Sequence, residues 1–146
     1  MLQTGIKGTG ETVVTEENTA EAMGSGQLPV FATPALIALV EETAWRSVAA
    51  LLEPGRSTVG SRADVAHLAP TPVGMRVRCE TELTEIDRRR LVFSAAVYDE
   101  AGKIAQGVHE RFVIDNDRFL AKARGRKAPE GAPAGEAERE KQAPGT

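Results

Sequence analysis

One segment limits what this chain can fold into more than any other: PALIALVEETAWRSVAALLEPG, Pro34 to Gly55. It reads as a single helix. Pro34 suits the first helical position, where its missing N–H costs nothing, and Thr33 just before it reads as the N-cap. Pro54-Gly55 supplies the stop. Between them Leu36, Ile37, Leu39, Val40, Ala44, Trp45, Val48, Leu51 and Leu52 spread round most of the circumference. A helix apolar nearly all round belongs inside a protein. At four-residue steps Thr33, Ile37, Glu41 and Trp45 fall on one stripe. A hydroxyl at the positive end of the helix therefore shares a face with a carboxylate two turns on.

The rest of the chain supplies strands. Residues 1–10 are Gly/Thr-rich and read as a flexible N-terminus, residues 11–120 as the folded domain. From residue 121 the composition turns to Ala, Gly, Pro, Lys and Glu without periodicity, so 121–146 reads as a disordered tail. Within the domain a short strand spans Glu11 to Thr15, and a mixed segment, Glu16 to Val30, carries the loop signal Gly24-Ser25-Gly26. After the helix, strands are expected over Ser57–Leu68, Met75–Ile86, Leu91–Tyr98 and Lys103–Ile114, separated by Pro-rich or charged turns. Met75, Val77, Cys79, Thr81 and Leu83 alternate with charged residues, so they share a face. One central helix followed by long antiparallel strands predicts an α+β fold, a curved antiparallel sheet wrapped round the helix.

Composition excludes several functions. A net charge of −3 gives no general basic surface for nucleic acid or an acidic membrane. The longest apolar run, Pro34 to Val40, is too short to span a bilayer. The N-terminus lacks the pattern of a secretory signal. A single cysteine, Cys79, forms no intramolecular disulfide, which fits the cytoplasm. Two distant histidines and one cysteine give no metal-ligand spacing.

Few residues remain to carry chemistry. Glu41 sits where a central helix has little water, so burial would favour its protonated form unless a donor or cation compensates. Glu42 is one residue off and suits a solvated pair with Arg46. His67 ends a strand just before the Pro-rich turn, a place where sites are built. His109 lies mid-strand; by alternation it faces with Gly107 and Arg111, opposite Val108, Phe112 and Ile114, and reads as structural. Thr33 as a cap is compatible with a catalytic hydroxyl, because a helix N-terminus favours developing negative charge. Gly60 reads equally as a bulge or as a point where backbone must come close to a ligand.

The blocks VFATPALIALVEETAWRSVAALLEPG and STVGSRADVAHLAPTPVGMRVRCETELTEIDRRRLVFSAAVYDEAGKIAQGVHERFVI together resemble the fluoroacetyl-CoA thioesterase family, within the hotdog-fold thioesterases. The likeness runs from about Val30 to Ala123. It implies a catalytic set of Thr33, Glu41 and His67. It also implies that the Gly60 N–H holds the thioester carbonyl, that Arg111 stands near the acyl pocket, and that the active site forms at the interface of a homodimer. Coenzyme A would be part of the substrate, with no separate cofactor. One departure stands out. Members of the family that act on fluoroacetyl-CoA close the acyl pocket with a phenylalanine-bearing lid before the helix. Here that segment reads AEAMGSGQLPVF, with Phe31 its only aromatic and Met23 and Leu28 left to close a pocket. Phe31 is thus a substrate-binding candidate, but fluoroacetyl specificity does not follow.

The resemblance implies hydrolysis of a short acyl-CoA thioester. Glu41 would act as nucleophile or as general base, His67 as proton shuttle, and Thr33 would orient Glu41 or water, or attack. Two other readings compete. An enoyl-CoA hydratase-like enzyme of the same fold needs an Asp/His pair, but Asp64 and His67, three residues apart on a strand, point to opposite faces. A non-catalytic acyl-CoA binding module would tolerate loss of Glu41.

Overall fold

The structure, a computed structural model, describes residues 1–129. Five strands form one antiparallel sheet in the order β1-β3-β4-β5-β2. They are β1 (Lys7–Val13), β2 (Arg56–His67), β3 (Arg76–Asp87), β4 (Arg90–Asp99) and β5 (Gly102–Asp115). A short helix α1 (Ala20–Met23) and the long helix α2 (Thr33–Ala49) stand between β1 and β2. α2 packs on β1, β2, β3 and β4. The compact unit runs from Met1 to Asn116. Helix α3 (Asn116–Arg124) leads into the second unit.

The α+β architecture and the long strands match expectation. On β3 the predicted face is buried: Val77, Cys79, Thr81 and Leu83 all point into the core. Burial pushes the Cys79 thiol up to about 11, against a smaller contribution from a Thr43 hydrogen bond, so it is an unreactive packing group. Leu36, Val40 and Leu39 join Phe31, Val77 and Val97 in one core cluster; Ala44 and Val48 join Leu83, Leu91 and Phe93 in another.

Three expectations are corrected. First, α2 is not buried all round. Leu36, Leu39, Val40, Thr43, Ala44 and Val48 are buried, whereas Pro34, Ala38, Trp45 and Ala49 are exposed. One sheet layer covers one side of a helix, and the Thr33–Trp45 stripe lies on the open side. Second, residues 7–10 are not loose. They begin β1, which pairs with β3 from Lys7↔Glu82 to Val13↔Arg76. The glycines that look like turn signals are there because the strand lies tight against α2. A Cβ on Gly8 would stand 2.8 Å from that of Ser47, and one on Gly10 would overlap Thr43 Oγ1. Third, Ala121 to Arg124 belong to α3, although they were expected in the tail. The remainder of that tail from residue 130 lies outside the described residues.

Among the described residues no helix is long and apolar enough to cross a membrane. Both edge strands are unpaired in the single chain, and β2, at 12 residues, is the longer of them.

If β1 is packed as described, Gly10→Ala forces Thr43 and the β1 backbone apart. It should destabilise the fold by about 1–3 kcal/mol, the usual cost of overpacking. A urea melt reads this directly, and an unchanged midpoint would mean that residues 7–10 are loose after all.

Candidate active site

Two groups of polar side chains stand along α2. The first is at its N-terminus. Thr33 is the first residue of the helix, not its cap; Ala32 holds the cap position and makes no side-chain hydrogen bond. The Thr33 hydroxyl is instead 2.8 Å from His67 Nδ1, at the end of β2. A side chain held by histidine cannot also turn back on its own helix. His67 Nε2 is buried and has no hydrogen-bond partner among the described residues. Burial holds this imidazole below the usual histidine range, against a smaller opposing contribution from the Ala69 backbone. Thr33 and His67 open on a cleft of about 280 Å³ whose walls include Phe31, Ala20, Ser25 and Leu68. Phe31 reaches it from the core, 1% exposed. Met23 and Leu28, expected to close a pocket, are 46% and 64% exposed and line no part of this cleft.

The second group is two turns further on, about 12 Å along the axis at 1.5 Å per residue. Glu41 Oε2 accepts a hydrogen bond from Arg111 Nη1 at 3.3 Å. The Arg111 side chain is 6% exposed and that of Glu41 43%. Glu41 therefore has the compensating cation that its position required, and more water than expected. Arg111 also donates from Nε to Thr58 Oγ1 at 2.8 Å and from Nη2 to the Thr58 carbonyl at 2.9 Å. Its fourth partner is His109 Nε2, 3.1 Å from Nη1. Burial lowers the Arg111 pKa and Glu41 opposes this; a guanidinium stays protonated in either case.

Gly60 completes this group, and its reading as a bulge holds. The β2–β5 register slips between Gly60 and Arg62, which marks a bulge. The missing side chain also makes room for the carboxylate: a Cβ on Gly60 would overlap Glu41 Oε2 and lie 3.2 Å from Arg111 Nη1. A cavity of about 310 Å³ adjoins Arg111, walled by Trp45, Leu52 and Thr58. A larger groove of about 560 Å³, lined by residues such as Lys7, Glu82 and Gln106, touches none of these groups.

Comparison with known proteins decides what such a chain is. The family described as fluoroacetyl-CoA-specific thioesterase matches residues 14–117. The chain belongs to that family. It is 39% identical, over 70% of its length and 73% of the relative's, to the fluoroacetyl-CoA thioesterase of Streptantibioticus cattleyicolor. A solved structure of a fluoroacetyl-CoA thioesterase superposes with a TM-score of 0.82 at 32% identity, covering 88% of this chain and 99% of that one. A Thermus thermophilus protein described as a thioesterase superfamily member gives 0.79 at 28% identity, covering 85% and 92%. The fold is a hotdog, and the enzyme is a thioester hydrolase.

Within this thioesterase fold, the predicted residues gather as two sets, Thr33 with His67 and Phe31, and Glu41 with Gly60 and Arg111. Glu42 pairs with Arg46 at 3.6 Å, both exposed, as the spacing required. His109, read as structural, is buried and hydrogen-bonded through both ring nitrogens. Its parity on β5 was right, but the face it shares with Arg111 is the one turned to the helix. His109 is 1% exposed, with Nδ1 at 2.7 Å from the Arg62 carbonyl. Alternation gave the two faces of β5 but not which of them is buried.

Burial also holds His109 below the usual histidine range, helped by Arg111 and opposed by its bond to Arg62, Glu41 and Glu110. Both histidines thus titrate lower in the folded chain than the 6.5 of a free imidazole. The unfolded chain takes up protons first as pH falls through 6.5, so stability is full above that value. It declines below it until the folded histidines also protonate. The melting temperature should be lower at pH 5.5 than at pH 7.5, and a His109→Gln variant should show a shallower decline. A melting temperature flat or rising across that interval would contradict neutral buried histidines.

Proposed function

We propose that this enzyme hydrolyses a small acyl-CoA thioester to the free acid and CoA. The observation that carries this reading is the Glu41 carboxylate, held against the side-chain-free surface of Gly60 by a buried arginine. Thioester hydrolysis needs an oxygen nucleophile, donors for the carbonyl oxygen and a proton carrier for the thiolate. Glu41 supplies the first, by direct attack or by activating water. By family resemblance, the Gly60 N–H would hold the developing oxyanion. His67, neutral and with Nε2 uncommitted, takes up and returns the proton, and Thr33 orients it. Family membership supports these assignments. The lid segment keeps one aromatic, Phe31, drawn into the core, so selection of the acyl group by lid phenylalanines does not follow. The buried, lone Cys79 fits a reducing cytoplasm.

The working form is a homodimer. The open face of α2 presents Ala38, Trp45 and Ala49, and the β2 edge next to it is unpaired. An edge of that length is a liability that a second copy removes, and a two-fold interface applies the same patch twice. A second copy over this face would also close the gap between the Thr33–His67 and Glu41–Gly60 groups into one water-poor site. Light scattering at micromolar concentration should give twice the chain mass; a stable, active monomer would rule out the shared site.

Free CoA released from a panel of acyl-CoA thioesters tests the activity. On the best substrate, Glu41→Gln should lower kcat at least about 100-fold, the lower range for acid–base participation. Its amide oxygen still accepts from Arg111, so the fold should survive. Glu42→Gln should stay within twofold of wild type, because an exposed pair is worth about 0–1 kcal/mol. A folded Glu41→Gln enzyme within fivefold of wild type would remove Glu41 from catalysis. Acyl-CoA binding without any CoA release would make the protein a binding module.

A further inference from the structure

We propose that His109 is a positioning residue of the hydrolase, whose Nε2 lone pair aims the Arg111 guanidinium at Glu41. The inference rests on the reading of Glu41 as the catalytic carboxylate and extends it one residue deeper.

The hydrogen bonds leave the imidazole a single arrangement. A carbonyl oxygen only accepts, so the 2.7 Å contact with Arg62 O puts the ring hydrogen on Nδ1. A guanidinium only donates, so the 3.1 Å contact with Arg111 Nη1 needs a bare Nε2. One neutral tautomer satisfies both. The ring cannot swing away: it is 1% exposed and stacks on Phe93, centroids 6.4 Å apart at 30°.

What this does to Arg111 follows from counting its hydrogens. Nε–H and one Nη2–H go to Thr58. Nη1 carries two hydrogens. His109 takes one, which directs the other at Glu41 Oε2. Without the Nε2 acceptor the Nη1 end has only a half-exposed carboxylate to hold it. The same ring ties down the bulge through the Arg62 carbonyl, one residue past the insertion that brings Gly60 under Glu41. His109 therefore links the two surfaces that grip the carboxylate.

The electrostatics agree. The charged groups facing the ring are Arg111 on its own strand and Glu41 on α2, with Glu110 adjacent and turned to Arg90 and Arg62. A protonated ring would set an N–H against Nη1. Burial and Arg111 both disfavour that form.

Three measurements on the full chain test the proposal. In His109→Asn the amide can still donate toward Arg62 but cannot reach Arg111. In His109→Gln an amide oxygen can stand near the Nε2 position and accept. The expected result is a kcat loss of at least tenfold in His109→Asn with KM within threefold, and recovery to within threefold of wild-type kcat in His109→Gln. If the two variants lose kcat equally, or neither loses it, the acceptor is not what matters and the proposal falls. In a Glu41→Gln background, His109→Asn should lower the residual rate no further; an additional tenfold loss would mean that His109 acts elsewhere. On the wild-type protein, ¹⁵N spectra of the only two histidines should show His109 as the neutral Nδ1–H tautomer at pH 7.5. An Nε2–H tautomer or a charged ring overturns the proposal even if neither variant folds. A fully active Glu41→Gln enzyme would instead remove the catalytic reading of Glu41, while the tautomer measurement still reports on the geometry of His109.

Discussion

A guanidinium buried between a helix and a sheet carries a charge and several donors that need partners, and much of this structure follows from that. Arg111 needs a negative charge because an uncompensated cation in this position would cost several kcal/mol. Glu41 provides it from α2. The remaining donors need acceptors on neighbouring strands, and Thr58 on β2 and His109 on β5 provide those. The ion pair is thus one edge of a network that fixes how α2 crosses β2 and β5. Glutamine at 41 removes the charge but keeps the acceptor oxygen and the volume, whereas alanine removes all three, which is why the amide is the gentler substitution there.

The network also explains the backbone around it. A carboxylate that lies against a strand needs a residue without a side chain, and Gly60 is that residue. The inserted residue of the bulge shifts the register at the same point, and bulges are known to re-aim backbone groups beside active sites. Glycine at 60 and arginine at 111 are paired positions on adjacent strands. The approach of the helix, the slip of the strand and the burial of the cation are therefore one arrangement seen from three sides.

How much of this was legible in the sequence depended on range. Local periodicity found α2, the four long strands and the buried face of β3, because side-chain alternation is a property of neighbouring residues. It also found the Glu42–Arg46 pair, at i,i+4. It failed where the deciding partner is distant. Thr33 looked like a cap because Ser and Thr before a proline usually are; its partner His67 is 34 residues away. Gly8 and Gly10 looked loose because nothing nearby shows that Thr43 and Ser47 press on them. The cation that Glu41 needed could be anticipated as a requirement, yet only the resemblance singled out Arg111, 70 residues on, and only for the acyl pocket. The burial of His109 was hidden by a different effect. His109 and Arg111 face inward on β5 and Val108 and Phe112 outward, an orientation that alternation alone left open.

The two histidines show why burial alone does not identify a catalytic group. Both are held neutral by desolvation, and each touches one member of the site. They differ in what is left over. Both nitrogens of His109 are committed, to a carbonyl and to a guanidinium, so it cannot take or give a proton without breaking a bond that the fold uses. His67 spends one nitrogen on Thr33 and keeps Nε2 uncommitted. A proton carrier needs such a free nitrogen, and an uncommitted buried nitrogen costs stability wherever it does no chemistry. On the proposed reading, the satisfied histidine belongs to the scaffold that aims the carboxylate, and the unsatisfied one moves the proton.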